Sequence, residues 1–213
     1  MVYDTIYGKE PGATIATGIS EEEYLDQYAE HFCEWINGTV IRIAPETLRH
    51  GDTVGYLMML LDAYRELNPL VQVIGWAFPM RLPVLRVCRE PNLMVLLPPR
   101  RVANDDYVVD GAADICIEVV SEFSVARDRG EKFAEYEQGG VKEYWLVDYL
   151  RTDALFYRRS EDGVFIPQSL DADGNYCTPL LPGLAVHVPT LWAEKKPGPG
   201  AISRAVEAML KSS

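Results

Sequence analysis

The order of apolar and polar positions along the chain predicts two helices in its first third. Ser20 followed by Glu23 is a capping-box pattern, in which each side chain can satisfy a backbone N–H group at a helix start, so a helix is predicted through Tyr28. A second helix is predicted from Thr47 to Leu67, because apolar residues recur there at helical spacing. These residues, which we expect in the core, are Val54, Leu57, Met58, Leu61 and Tyr64.

Strands bounded by turn residues are predicted around and after these helices. Asn37-Gly38 predicts a hairpin, because both residues tolerate the positive φ of a two-residue turn, and its strands would be Cys33–Ile36 and Thr39–Ile43. Farther along, prolines separate three short apolar runs, and a proline cannot donate a hydrogen bond within a sheet. The strands predicted there are Val71–Phe78, Val84–Cys88 and Asn92–Leu97.

The segment Asp114–Val120 predicts a buried strand that carries two acids. Alternate residues of a strand share a face, so the side chains of Asp114 and Glu118 should point the same way. A carboxylate buried in a strand is costly unless another group pairs with it. We therefore expect Glu118 to have a partner or to belong to a site.

A strand–helix–strand unit is predicted from this segment onward. A helix is expected from about Val125 to Gln138, ended by Gly139-Gly140, and Glu143–Asp148 is expected to return as a strand. Later strands are predicted at Ala154–Arg159, Val164–Gln168 and Leu184–Val188. We therefore expect one mixed α/β (α+β) domain over residues 20–192, an N-terminal tail over 1–19, and a linker with a short C-terminal helix over 193–213.

Composition narrows the class of protein. The chain has 213 residues, of which 48% are hydrophobic and 24% charged, as expected of a soluble domain that buries its own core. We predict no membrane span and no signal peptide, and hence a cytoplasmic protein. The four cysteines and three histidines are scattered, so neither a zinc ribbon, a redox motif nor a histidine metal site is expected.

The charge distribution bears on nucleic-acid binding. A net charge of -12 argues against a protein that coats DNA nonspecifically, because phosphate binding draws on clustered Lys and Arg. One local exception runs from Arg81 to Arg101, where five arginines stand against one acid, Glu90. This strip is either a solvated loop and strand edge or a phosphate track. Its arginines are Arg81, Arg86, Arg89, Arg100 and Arg101.

Residues 118–148 read EVVSEFSVARDRGEKFAEYEQGGVKEYWLVD, with acids, a lysine, Gly-Val and Glu-Tyr-Trp at fixed intervals. This segment resembles the signature of the Uma-two family of bacterial endonucleases, long catalogued as a domain of unknown function, in the PD-(D/E)XK nuclease superfamily. Weaker similarity extends from about Ser20 to Trp192 and includes Glu34 and His50. The resemblance implies a restriction-endonuclease-like core, with a central twisted mixed sheet flanked by helices.

The resemblance also implies a site. In the superfamily pattern an Asp and a Glu on adjacent strands hold a divalent metal ion, while a Lys polarises the attacking water. Glu118 matches the Glu, and because Val120 stands where many members carry the Lys, the resemblance assigns that role to Lys132 on the next helix. Mg²⁺ or Mn²⁺ would then be held by Glu118, Asn92 and the backbone carbonyl of Val119.

One position departs from the pattern, because Pro91-Asn92 stands where the family has Pro-Asp. An Asn offers a neutral oxygen and no charge, so metal affinity should fall unless another acid replaces it. Glu90 and Asp114 are candidate replacements. The supporting candidates are Glu34, His50 and Asp128, although Asp128 with Lys132 could equally form an ordinary i,i+4 ion pair, and Glu118 a buried pair with Lys132.

Three functions remain open on the sequence alone. The leading hypothesis is a metal-dependent endonuclease that cuts DNA as a homodimer, since related nucleases often pair and the chain has many large aromatics. Its nucleic-acid contacts would be Arg86, Arg89, Arg100 and Arg101. The rivals are a catalytically lapsed module that binds nucleic acid or protein, and a metal hydrolase of small phosphate esters. A second carboxylate close to Glu118 would favour an enzyme.

Overall fold

A computed structural model of the chain describes residue 6 and residues 9–43, 47–75 and 78–212. The first elements of the fold are set by a helix cap and a tight turn. Ser20 Oγ accepts the Glu23 N–H at 3.1 Å, and Asn37 and Gly38 both have positive φ, 49° and 88°, so the predicted helix start and hairpin are confirmed. The elements are β1 (Thr14–Thr17), α1 (Glu21–Gln27), a 3₁₀ turn (Ala29–His31), β2 (Cys33–Ile36), β3 (Thr39–Arg42) and α2 (Leu48–Leu67).

The middle of the chain is built of short strands, and the first half of one predicted strand is wrong. Pro83–Leu85 forms a 3₁₀ turn instead of the first half of the predicted strand Val84–Cys88, because proline has a restricted φ and no N–H to donate. The strand predicted at Val71–Phe78 is found at 72–75, and residues 76 and 77 lie outside the described part. The elements are β4 (Gln72–Gly75), β5 (Met80–Leu82), β6 (Val87–Arg89), β7 (Leu93–Leu96), β8 (Val109–Asp110) and β9 (Ile115–Val119).

The last part of the chain contains the predicted helix and strands, together with a strand at Asn175–Cys177 and a short helix at Val188–Leu191 that were not predicted. The helix after β9 opens with a π turn, Arg127–Glu131, continues as α3 (Lys132–Gly139), and ends at Gly140, whose φ is 93°. The strands are β10 (Glu143–Asp148), β11 (Asp153–Arg159), β12 (Phe165–Gln168), β13 (Asn175–Cys177) and β14 (Ala185–His187), and the helices are α4 (Val188–Leu191) and α5 (Pro199–Lys211).

The described strands form two six-stranded mixed sheets and one two-stranded sheet. The first large sheet has the order β1-β3-β2-β6-β5-β8, and the second has the order β12-β11-β10-β9-β7-β4. In the second sheet β9 and β10 run parallel, with Glu118 opposite Leu146, and β7 is antiparallel to β9, with Leu93 opposite Ile117. The mixed α+β class is confirmed, but the strands expected in one central sheet are divided between two.

Helices cover both faces of the second sheet. On one face α2 and α5 pack with Leu57, Trp145 and Val206 in a shared apolar core. On the other face α3 packs through Tyr136 against strand residues such as Leu146. Two elements outside the predicted 20–192 domain, β1 and α5, are therefore packed onto it, since β1 pairs with β3 and α5 lies against α2.

The large aromatic side chains that suggested an apolar assembly surface are mostly in the core. Trp145 and Trp35 are buried, Trp192 is half-buried, and Trp76 lies outside the described residues. The premise that a small core cannot hide them is therefore wrong for the described tryptophans. No helix in the described ranges is both long enough and apolar enough to cross a membrane.

Candidate active site

Glu118 lies in the most central part of the second large sheet. Every residue of its strand, β9, is buried, and β9 is flanked by β7 and β10. Glu118 Oε1 accepts hydrogen bonds from Lys132 Nζ and from the Tyr136 hydroxyl, both at 2.8 Å. Lys132 and Tyr136 are one helical turn apart, so both reach the same oxygen because α3 crosses the sheet here. The predicted approach of the Lys132 helix to Glu118 is confirmed.

Lys132 is shared by carboxylates from three parts of the fold. Its Nζ lies 2.8 Å from Glu118 Oε1, 2.9 Å from Glu34 Oε1 and 3.7 Å from Asp128 Oδ1. No side chain of this set is more than 4% exposed. The π turn before α3 carries Asp128, and such turns are often found at functional sites. We call Glu34, Glu118, Asp128 and Lys132 the charged centre.

Glu34 joins the two large sheets at this centre. It extends from β2 of the first sheet, and its second oxygen, Oε2, lies 2.8 Å from Arg89 Nη1 on β6. The guanidinium of Arg89 also binds the carboxylates of Glu131 and Glu135. Arg89 is fully buried, so its predicted role as a nucleic-acid contact is wrong. The alternation of side chains along a strand does not show which face is buried, so the sequence could not predict that the Arg89 side chain points inward.

The other arginines of the strip are placed differently. Arg100 donates to the backbone carbonyls of Ala112 and Asp110, which joins two loop segments. Arg86 and Arg101 are exposed. A continuous phosphate track along the strip is therefore interrupted at Arg89 and Arg100, while contacts from Arg86 and Arg101 stay a prediction.

Asn92 contacts the backbone next to Glu118. Its Oδ1 accepts the N–H of Val119 at 2.7 Å, and His50 Nε2 lies 2.7 Å from the Val119 carbonyl oxygen. Because a carbonyl only accepts, the proton is on Nε2 of His50. Both polar groups of Val119 are thus held by side chains from other elements. The oxygens of Asn92 and Val119, both predicted as metal ligands, are therefore engaged within the protein, as is Oε1 of Glu118.

Of the two proposed replacements for the missing acid, Asp114 lies outside the charged centre, whereas Glu90 borders it and donates its backbone N–H to Glu34 Oε1 at 3.3 Å. Asp114 lies at the other end of β9, where it accepts the Leu97 N–H at 2.7 Å and pairs with Lys142 at 2.6 Å. Glu90 is buried and accepts the Tyr24 hydroxyl at 3.4 Å. Burial, followed by the charge of Glu34, raises the pKa of Glu90 well above its usual value, which favours the neutral acid. The prediction that Asp114 replaces the missing acid is wrong.

Two partners of the charged centre, Tyr136 and Arg127, are not among the site residues that the sequence predicts. Tyr136 lies in the core, and its hydroxyl donates to Glu118. Arg127 was not singled out at all, although its Nε lies 3.9 Å from Glu34 Oε2. The spacing of Tyr136 four residues after Lys132 was a usable signal, whereas nothing local to Arg127 indicates Glu34 as its neighbour.

The electrostatics of the centre follow from burial and pairing. Burial is the main influence on the pKa of Glu118 and raises it to about 7, although Lys132 opposes the shift. Burial also raises the pKa of Asp128. It would raise the pKa of Glu34 as well, but the Lys132 and Arg89 cations hold that pKa well below its usual range. The pKa of Lys132 is raised because its carboxylate partners outweigh burial.

The donor atoms suit a hard divalent ion in chemical type. Mg²⁺ and Mn²⁺ take carboxylate and carbonyl oxygens, and Asp128 Oδ1 is a buried oxygen that accepts no hydrogen bond from the described residues. Within those residues, however, no three His, Cys, Asp or Glu side chains stand ready as a metal-binding group. The carboxylates are instead gathered around the Lys132 ammonium.

Comparisons with known proteins agree with this architecture. The fold resembles a crystal structure from Anabaena variabilis, described as a "putative nuclease belonging to DUF820", with a TM-score of 0.64 and 14% sequence identity over 79% of this chain and 96% of that one. No curated protein matches the sequence. The Uma2 family, described as "Putative restriction endonuclease", matches residues 21–189, which include Glu34, Asn92, Glu118 and Lys132. The chain belongs to the Uma2 family.

Proposed function

We propose that this protein is an endonuclease that hydrolyses phosphodiester bonds in DNA, with the charged centre as its active site. The observation that supports this proposal most strongly is the convergence of Glu34 and Glu118 on one nitrogen, at 2.9 and 2.8 Å. Glu34 supplies a second carboxylate beside Glu118, and so restores the negative charge that Asn92 does not provide. Membership of a family described as restriction endonucleases supports the same reaction.

The residues of the centre have distinct proposed roles. Glu118, Glu34 and Asp128 would hold Mg²⁺ or Mn²⁺, which when bound stabilises negative charge on phosphoryl oxygens and makes water easier to deprotonate. Lys132 would stabilise the developing negative charge near the scissile phosphate. Tyr136 orients Glu118 through its hydroxyl.

His50 and Asn92 are proposed as positioning residues. They hold the carbonyl and the N–H of Val119, so they fix the peptide that directly follows Glu118. A carboxylate whose backbone is held on both sides stays in one orientation, which a site assembled from several elements requires. In this proposal Asn92 acts on the geometry of Glu118 and contributes no charge.

The proposal is tested by cleavage of supercoiled plasmid DNA with Mg²⁺ or Mn²⁺, with EDTA as the metal-free control. The wild-type protein should nick the plasmid, and Glu118→Gln should lose at least about a hundredfold in rate. Asp114→Asn is the matched control, because Asp114 lies on the same strand but outside the centre. Absence of cleavage by the folded wild-type protein with either ion, on supercoiled and single-stranded DNA, would reject the enzyme.

The second candidate is a lapsed module that binds nucleic acid without cutting it. The burial of the charged centre, with no member more than 4% exposed, favours this alternative. It predicts that a labelled DNA duplex binds the protein with the same affinity in EDTA and in Mg²⁺, and stays intact.

The active form is proposed to be a homodimer, because two centres related by symmetry can cut both strands of a duplex in one binding event. Light scattering over a range of protein concentrations measures this directly. A monomer at every concentration, with double-strand cleavage still present, would show that a single chain cuts the strands in turn.

A further inference from the structure

We infer that Lys132 is the resident cation of the charged centre, and that a divalent ion binds there only when the Lys132 ammonium leaves its position between Glu34 and Glu118. This inference deepens the proposed function, because it names what controls metal uptake at the same centre. It concerns ion binding, so it can be tested whether or not the protein cleaves DNA.

The geometry is that of oxygen atoms gathered around one positive charge. Glu34 and Glu118 approach Nζ of Lys132 to 2.9 and 2.8 Å from opposite parts of the fold. Magnesium–oxygen distances are shorter, roughly 2.1 Å, but involve the same atom types. An ion and an ammonium therefore compete for the same two oxygens.

The Lys132 ammonium does not form a hydrogen bond with every carboxylate of the charged centre, since Asp128 lies too far away. Its Oδ1 is buried and accepts no hydrogen bond from the described residues, and it lies 3.7 Å from Nζ of Lys132, beyond hydrogen-bond distance. A buried oxygen without a donor is costly and retains its capacity to bind a cation. The centre thus contains one more acidic group than the lysine satisfies.

The neutral residue at position 92 explains why the two cations should exclude each other. Asn92 directly precedes β7, the strand next to that of Glu118, and accepts the N–H of Val119. Its amide is neutral, so it adds no negative charge there. A divalent ion next to an ammonium needs enough carboxylate charge to offset their repulsion. Burial of Lys132 and its partners removes the water that would screen this repulsion.

Arg89 and Arg127 add to this competition. Arg89 occupies the second oxygen of Glu34 at 2.8 Å, and Arg127 lies 3.9 Å from the same oxygen. They reduce the charge of Glu34 that is available to an incoming ion. Displacing Lys132 is then the remaining way to release both carboxylates.

The test is a calorimetric titration with Mn²⁺ of the wild-type protein, Lys132→Met and Lys142→Met. Methionine keeps an unbranched side chain, one atom shorter than that of lysine, without the charge. Lys132→Met should bind Mn²⁺ at least about tenfold more tightly than the wild-type protein, because the competing ammonium is gone. Lys142→Met is the control, since Lys142 pairs with Asp114 outside the centre, and it should bind like the wild-type protein. Equal affinity in all three proteins would overturn the inference.

A cleavage assay on the same variants separates this inference from the proposed function. Lys132→Met should bind Mn²⁺ more tightly and yet nick DNA more slowly than the wild-type protein. Tighter binding with no cleavage by any variant supports the inference and rejects the endonuclease. Unchanged binding with cleavage by the wild-type protein rejects the inference alone.

Thermal unfolding gives a second measurement, because it reports both whether the Lys132 variants fold and whether Mn²⁺ stabilises them. Lys132→Met and Lys132→Gln should unfold at lower temperature than the wild-type protein in EDTA, and Mn²⁺ should raise their midpoints more than it raises that of the wild-type protein. Lys132→Met with Glu118→Gln removes both charges of the pair and should lose this extra response. Variants whose midpoints respond to Mn²⁺ no more than the wild-type midpoint contradict a resident-cation role.

Discussion

Asn92 holds the Val119 N–H at 2.7 Å through its side-chain oxygen, at the position where the family pattern has an aspartate. An amide and a carboxylate are nearly the same size and can both accept this hydrogen bond. The substitution therefore preserves the backbone geometry beside Glu118 and removes one negative charge. The hydrogen bond to Val119 and the negative charge at position 92 can therefore be varied independently, and Asn92→Asp changes only the charge.

Asn92→Asp should raise affinity for Mn²⁺ by roughly tenfold, because it keeps the bond to Val119 and adds a charge near Glu118. If the endonuclease proposal holds, Mg²⁺-dependent nicking should rise as well. Calorimetry and the plasmid assay measure the two effects. Adding Glu118→Ala to this variant should abolish both. An Asn92→Asp protein that binds no more metal than the wild type would show that residue 92 is not next to the ion.

His50→Ala should destabilise the protein by about 1–3 kcal/mol, because it leaves the buried carbonyl of Val119 without its donor. His50→Gln, which can still donate, should recover part of the loss. The free energy of unfolding in urea measures both variants. If His50→Ala and His50→Gln are equally stable, the hydrogen bond to Val119 contributes little.

Arg89→Met should lower the free energy of unfolding by roughly 3–5 kcal/mol, because it removes the buried partner of Glu34 Oε2, which also pairs with Glu135. Arg86→Met, at an exposed position three residues earlier, should change stability by less than about 0.5 kcal/mol. Urea unfolding distinguishes them. An Arg89→Met protein as stable as the wild type would show that the buried pairs of Arg89 contribute little to folding.

In the Asp148→Asn variant, the free energy of unfolding should fall less between neutral and acid pH than it does in the wild-type protein. Arg129 and Arg151 lie 2.8 and 2.9 Å from the buried carboxylate, and although burial alone would raise its pKa, their hydrogen bonds hold the pKa of Asp148 below its usual value. A lowered folded pKa gives stability that is complete above about pH 5 and disappears as the pH falls below roughly 4, towards the folded pKa.

Unfolding of the wild-type protein and Asp148→Asn between neutral pH and acid measures this contribution. The difference in stability between the two proteins should be largest near neutral pH and should shrink in acid. Glu161→Gln, at an exposed position in the turn between β11 and β12, is the control. A difference that stays constant down to acid pH would show that Asp148 does not titrate with unfolding.

Features that depend on residues close together along the chain are predictable from the sequence. Ser20 and Asn37-Gly38 act within a few residues, so their helix cap and turn follow from local hydrogen bonding and backbone sterics. The pairing of Glu118 with Lys132 was also accessible, because a strand and the helix that follows it pack together. The first half of the strand predicted at Val84–Cys88 is instead part of a 3₁₀ turn that begins at Pro83, and Val87 and Cys88 lie in β6.

The sequence by itself therefore determined most of the longer helices and strands, among them the strand that carries Glu118 and the helix that brings Lys132 to it. Only the tertiary structure decided that Glu34 completes the centre, that Arg89 is buried and that Asp114 is remote. The reason is physical: these placements depend on which strands of two sheets come together, and a strand's own residues specify its faces but not its neighbours. A buried charge acquires its role from partners that are distant along the chain.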